Sequence, residues 1–192
     1  MGETTKTEIA AGAAFNPYAP PGARVEAAPM TGAEPVFFPV GVFKLMVMGF
    51  FTLSLYNVYW FYKNWKCVQQ NFNEDVNAPV RAVFYPFIAY PLFRRVRDHA
   101  RQAGIDARFP PGVLAILLLL VALLGALLDP SGLVTFLDVL LLVPVQSTVN
   151  AINRKLVPSA DLNRGFTGAN IAWITIGGIL LIVSLIGTFA AG

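Results

Sequence analysis

Asp138 is the one acid set inside an apolar run, with five or more uncharged residues on each side. A charge at membrane depth costs at least ~2.5–3.5 kcal/mol on insertion scales, so such a residue is either held by a structural partner or handles protons or cations. Counted from Gly132 it sits about two helical turns in, where water could reach it. Amides could extend a polar path from it: Asn57 on an earlier helix, and Gln146, Asn150 and Asn153 on one stripe of its own helix. That stripe reads more simply as the wet face of a helix leaving the membrane, because Val145, Val149, Ile152 and Leu156 fall on a separate apolar stripe.

A second concentration of chemistry is basic. Arg94, Arg95, Arg97, Arg101 and Arg108 follow an aromatic stretch, and each basic residue near an anionic leaflet adds ~1 kcal/mol of attraction, so this segment reads as a cytoplasmic contact for anionic lipid. Asp98, four residues from Arg94 and three from Arg101, satisfies part of that charge along the helix. His99, the sole histidine, reads as a solvated member of the same helix; acid–base chemistry has little else to start from. Cys67 excludes an intramolecular disulfide framework and a cysteine zinc site, and is expected to be an inert thiol. With no paired carboxylates, nucleophile–base pair or metal-ligand spacing, the expectation is a protein without catalytic residues, cofactor or metal.

The densest pattern is Leu55-Tyr56-Asn57-Val58-Tyr59-Trp60-Phe61-Tyr62-Lys63-Asn64-Trp65-Lys66. Tyr56, Tyr59, Trp60, Tyr62 and Trp65 are expected to form an aromatic belt at headgroup level, with the ring semi-dry and the OH or NH hydrated. A belt leaves unexplained why Asn57, Trp60, Phe61 and Asn64 share one helical face, where an amide can bond a neighbouring helix or line a polar headgroup site. The pattern resembles a family of small, uncharacterised bacterial membrane proteins of unknown function. In those proteins a first apolar helix ends in Leu-Tyr-x-x-Tyr-Trp-Phe-Tyr-x-Asn-Trp, matched here from Leu55 to Trp65. An aromatic stretch running into basic residues follows, similar to Arg81 to Arg95, and a polar segment similar to Asn163 to Asn170 precedes the last helix. The resemblance covers about residues 40–190 and is specific in the first motif; it implies a bacterial inner-membrane address and no activity.

The elements that must position these groups are membrane helices. Four runs are expected to cross: 45–62, 113–128, 133–152 continuing through Pro144 with a kink, and 171–191. The last has twenty-one residues without a charge and would rise ~31 Å, enough for a ~30 Å hydrocarbon core. Asp129-Pro130-Ser131-Gly132 suits a tight turn that makes the second and third runs antiparallel neighbours. Residues 82–93, aromatic and carrying Pro86 and Pro91, would rise only ~18 Å and read as an interfacial or re-entrant helix, with a fifth crossing as the alternative. They lead into a basic cytoplasmic segment, 94–109. In the last run Gly177, Ser184 and Thr188 share a face, with Gly178 and Gly187 close by, a seam for helix packing.

Lys and Arg cluster in two loops, 63–108 and 154–164, and are absent from the Asp129 turn, which places the loops inside and the turn outside. The N-terminus is then outside with four crossings and inside with five. Residues 1–36, rich in Ala and Pro, bury too little to offset their ordering entropy and are expected to form a disordered arm before a 37–192 membrane domain. That arm lacks the pattern of a secretory signal, and Lys6 stands where a myristoylation motif needs Ser or Thr.

Composition agrees with a bilayer as the main solvent: 56% hydrophobic, 13% charged and a mean hydropathy of +0.60. The net charge of +3 sits beside apolar blocks and argues for topology rather than nucleic-acid binding. The expectation is an all-α, polytopic inner-membrane protein of about four transmembrane helices plus the aromatic interfacial helix. It would act as a non-enzymatic scaffold or accessory subunit binding membrane lipids, another membrane protein or itself. The alternative is a small channel or transporter using Asp138 and the amides.

Overall fold

Pro35 and Pro39 hold the start of the described chain extended, because a proline disfavours the helical region for the residue before it. The computed structural model describes residues 34–128, 134 and 136–190; the expected arm up to residue 33 and the turn at 129–132 lie outside the described residues. Among the described residues the fold is entirely helical. The order is α1 (Val42–Phe51), α2 (Leu55–Phe72), α3 (Ala78–Val83), α4 (Tyr85–Gln102), α5 (Pro111–Leu128), α6 (Phe136–Leu156) and α7 (Gly168–Ala190).

Three of these, α5, α6 and the first twenty residues of α7, are long and apolar enough to cross a membrane. The run 45–62 is not one helix. It breaks at Thr52-Leu53-Ser54, where Leu53 and Ser54 take positive φ (49° and 65°). Hydroxyl side chains there offer the backbone other partners: the Thr52 hydroxyl donates to the Met48 carbonyl (2.6 Å) and accepts from the Tyr56 amide (3.0 Å). α1, with ten residues, rises only ~15 Å.

After the break the chain turns back. α2 runs beside the extended segment that leads into α1: Tyr59 packs edge-on to Phe38, and Asn71 donates to the Pro35 and Val36 carbonyls, both at 3.0 Å. α2 stops at Asn73, a residue type that tolerates the left-handed conformation found there. α3 and α4 make a second bent pair. Asn77 caps α3 by accepting from the Val80 amide, with proline in the first turn. α4 then follows α2 from Tyr85, stacked on Phe61, to His99, edge-on to Phe72. Residues 82–93 are therefore divided at Phe84 and bent again at Ile88, three residues before Pro91, and the helix carries on through the arginines to Gln102. Gly104, at φ 64°, closes α4 with the Ile105 amide returning to the Ala100 carbonyl.

α6 runs unbroken through Pro144. α1 lies along it so closely that a Cβ on Gly49 would fall 2.3 Å from a Val139 methyl. α7 starts at a reciprocal cap, Thr167 with Asn170, and packs on α1, where Gly177 meets the Phe51 backbone and leaves no room for a Cβ. The expected seam is thus occupied at Gly177 and Gly178, whereas Gly187 faces open space.

Candidate functional site

The amide stripe of α6 is buried. Gln146 and Asn153 are fully inaccessible and Asn150 is 7% exposed, which corrects the expectation of a wet face. Together with Asn64 of α2 they clasp the extended segment Phe37–Val40. Asn153 donates to the Phe37 carbonyl (2.8 Å) and accepts from its amide (3.3 Å), and Asn64 accepts from the Phe38 amide (3.2 Å). Asn150 donates to the Val40 carbonyl (2.8 Å), and Gln146 donates to the same carbonyl (3.1 Å) and to Asn150 (2.9 Å). The Gln146 carbonyl accepts from the Trp60 indole. A buried extended segment has no ladder of its own, and side-chain amides, each both donor and acceptor, replace it.

Deeper along α6 lies a second cluster. Asp138 is 1% exposed and accepts from the Tyr85 hydroxyl at 2.9 Å. Asn57, fully buried, lies beside that hydroxyl, yet neither its amide nitrogen nor its oxygen makes a hydrogen bond of good geometry; the second Asp138 oxygen also lacks one. Tyr85 opens α4 and Asn57 lies in the first turn of α2, so the first turns of two helices supply the polar side chains of this cluster. Asp138 and Asn57 are thus brought together, while Gln146 and Asn150 are engaged two to three turns away by the extended segment.

The aromatic residues divide. Tyr56, Trp60 and Trp65 belong to the core rather than to a belt, leaving Tyr59 (46% exposed) and the half-buried Tyr62 for a headgroup level. The motif placed its amides and indoles on one helical face, and that face is the one that packs. Arg81 covers the Trp65 ring at 4.4 Å.

The arginines of α4 are largely paired. Arg95 forms a two-pronged bond with Glu74, and Asp98 takes Arg94 (3.5 Å) and Arg97 (3.7 Å); Arg101, expected beside Asp98, has no ion pair among the described residues. His99 is half-buried rather than fully solvated. It packs edge-on against Phe37 and Phe72, and burial together with Arg95 holds its pKa below the usual imidazole value, Asp98 opposing. Cys67 is half-buried, and burial pushes its thiol up to about 11, in keeping with an inert role.

Sequence reasoning missed Tyr85, the Phe37–Val40 segment and Lys44. The Pro35-Val36-Phe37-Phe38-Pro39-Val40 run was the available signal, two prolines bracketing apolar residues next to a supposed arm. The chain matches no protein-family model, no curated protein and no solved structure.

Proposed function

We propose that this chain is an integral membrane protein crossing the bilayer through α5, α6 and α7, acting as a non-enzymatic scaffold or accessory subunit. In this reading three crossings replace four, because α1–α2 bends back as a re-entrant pair and α3–α4 as another. The ends of both pairs then lie on one side with Lys63, Lys66, the α4 arginines, Arg154, Lys155 and Arg164, and so does Glu34, where the described chain begins. That distribution satisfies the positive-inside rule with the basic side cytoplasmic. The motif resemblance adds a bacterial inner-membrane address to the proposal.

The observation that carries the scaffold role is α7. Only 6% of its spanning window is buried, and its Ile176, Ile179, Leu180 and Val183 face outward, available to lipid or to a neighbouring helix. The amides of α6, by contrast, are engaged by the chain's own backbone, which interrupts the polar path of the transport alternative. Single cysteines at Ile179 and Val183 in a Cys67→Ser background, cross-linked in native membranes, are expected to give a discrete adduct with a second copy or another membrane protein. Absence of any adduct at both positions would contradict the scaffold role. Reporters within 103–109 and 158–164 should read cytoplasmic and one in 129–132 periplasmic.

The transport reading retains one specific support, the unpaired atoms of Asn57 and Asp138. It predicts an ion or proton flux in liposomes that Asp138→Asn abolishes in a folded, inserted protein.

A further inference from the structure

Lys44 is 3% exposed, yet no carboxylate lies within ion-pair distance among the described residues. Its ammonium donates to the Asn163 side chain (2.8 Å) and the Gly165 carbonyl (2.7 Å), neutral groups that fix its position without cancelling its charge. Burying a cation without a counter-charge is unfavourable unless an anion completes the site. Two clefts share this lysine. One, of 440 Å³, is walled by Lys44, Ser147, Arg154 and Arg164 and has no acidic lining residue. The other, of 420 Å³, is lined by Met48, Leu55, Tyr59 and Trp173 beside the polar cap of α7.

The two arginines differ from those of α4. Arg154 bonds only the Asn150 carbonyl through Nε (3.2 Å), and neither it nor Arg164 pairs with an acid among the described residues. Three cations of three different segments therefore converge with no acid at ion-pair distance among the described residues, Asp161 acting on Lys44 only from farther off, next to a largely apolar cleft. A phosphate suits the first cleft, since guanidinium groups bind its oxygens in a fork and lysine binds as a point charge. An acyl chain suits the second.

We propose that the Lys44–Arg154–Arg164 cleft binds the phosphate of an anionic phospholipid, whose chain lies along Met48, Leu55 and Trp173. The site rests on the reading that the start of α7 lies at the inner leaflet. It replaces the α4 arginines as the principal anionic-lipid contact, because Arg94, Arg95 and Arg97 are already paired with Glu74 and Asp98, and Arg101 alone of that group stands without an ion pair among the described residues.

The full chain in nanodiscs of mixed phosphatidylglycerol and phosphatidylcholine, released for native mass spectrometry, should retain phosphatidylglycerol preferentially. Arg154→Gln with Arg164→Gln, both exposed and away from the core, should lower that preference roughly tenfold or more, from ~1 kcal/mol per basic residue. Arg94→Gln with Arg101→Gln should leave it unchanged. Lys44→Gln should also weaken it; should that variant fail to fold in a thermal scan, the arginine pair decides. Equal retention of both lipids, an unchanged preference in the Arg154/Arg164 variant, or loss in the Arg94/Arg101 variant would overturn the proposal. Complete displacement of the lipid by millimolar inorganic phosphate would overturn it too, in favour of a free-anion site. A reporter at 158–164 that reads external would instead sink the topology on which the site rests, so the two failures are distinguishable.

Discussion

α6 and α7 are both long enough to cross a membrane, but they meet their surroundings in opposite ways. α6 has a mean hydropathy of 1.3 and 56% of its window buried; α7 has 2.2 and 6%. The more apolar helix is the less buried one. In water that order would be reversed, because apolar area leaves solvent at about 25 cal/mol per Å². A bilayer removes that drive, and what then recruits a helix to the interior is hydrogen bonding and close packing. α6 supplies Asp138, Gln146, Asn150 and Asn153 for this, whereas α7 supplies Gly177 and a largely apolar surface.

The largest break in the comparison should come from removing the amide that serves most partners. Gln146→Leu strands the Trp60 indole and the Asn150 side-chain oxygen; at ~1–3 kcal/mol for each stranded group the loss is roughly 2–6 kcal/mol, read as lowered thermostability in mild detergent. An unchanged melting point would mean that the clasp does not hold the fold. On the α7 side, Gly177→Ala places a Cβ against the Phe51 carbonyl and should cost about 1–3 kcal/mol, expressed as separation of two helices rather than global unfolding. A disulfide engineered between α1 and α7 should form in the parent and not in the variant, while the Gln146 clasp stays intact by hydrogen exchange.

Asp138 sharpens the account of α6. Asp138→Leu strands the Tyr85 hydroxyl and should destabilise by about 1–3 kcal/mol, whereas Asp138→Asn retains an acceptor and should be milder. Equal stability of both variants and the parent would remove Asp138 from the structural argument. The smallest effect belongs to the outer face of α7, where Val183→Ala should stay within about 0.5 kcal/mol of the parent. A larger loss in purified monomer would show that this face already packs against something.

The sequence made α5 and α7 legible because uninterrupted apolar length is a local property. It also showed the periodic placement of Asn57, Trp60 and Asn64, and of Gln146, Asn150 and Asn153. It could not show which way those stripes face, since an amide at the end of a membrane helix is equally well hydrated or clasped by another segment. The bend at Leu53-Ser54 was hidden for a related reason: leucine and serine do not announce a left-handed backbone as glycine or asparagine would. Tyr85 met Asp138 only through the packing of α4 on α6, fifty-three residues apart.

The most direct test of the inside-out arrangement uses tryptophan. Trp173, on α7, is 55% exposed, whereas Trp60 and Trp65 are fully buried among helices and the clasped segment. In nanodiscs of lipid brominated near the headgroup end of the acyl chains, tryptophan fluorescence should be quenched in the parent and far less in Trp173→Phe. Equal quenching of the two, or none in the parent, would contradict the account.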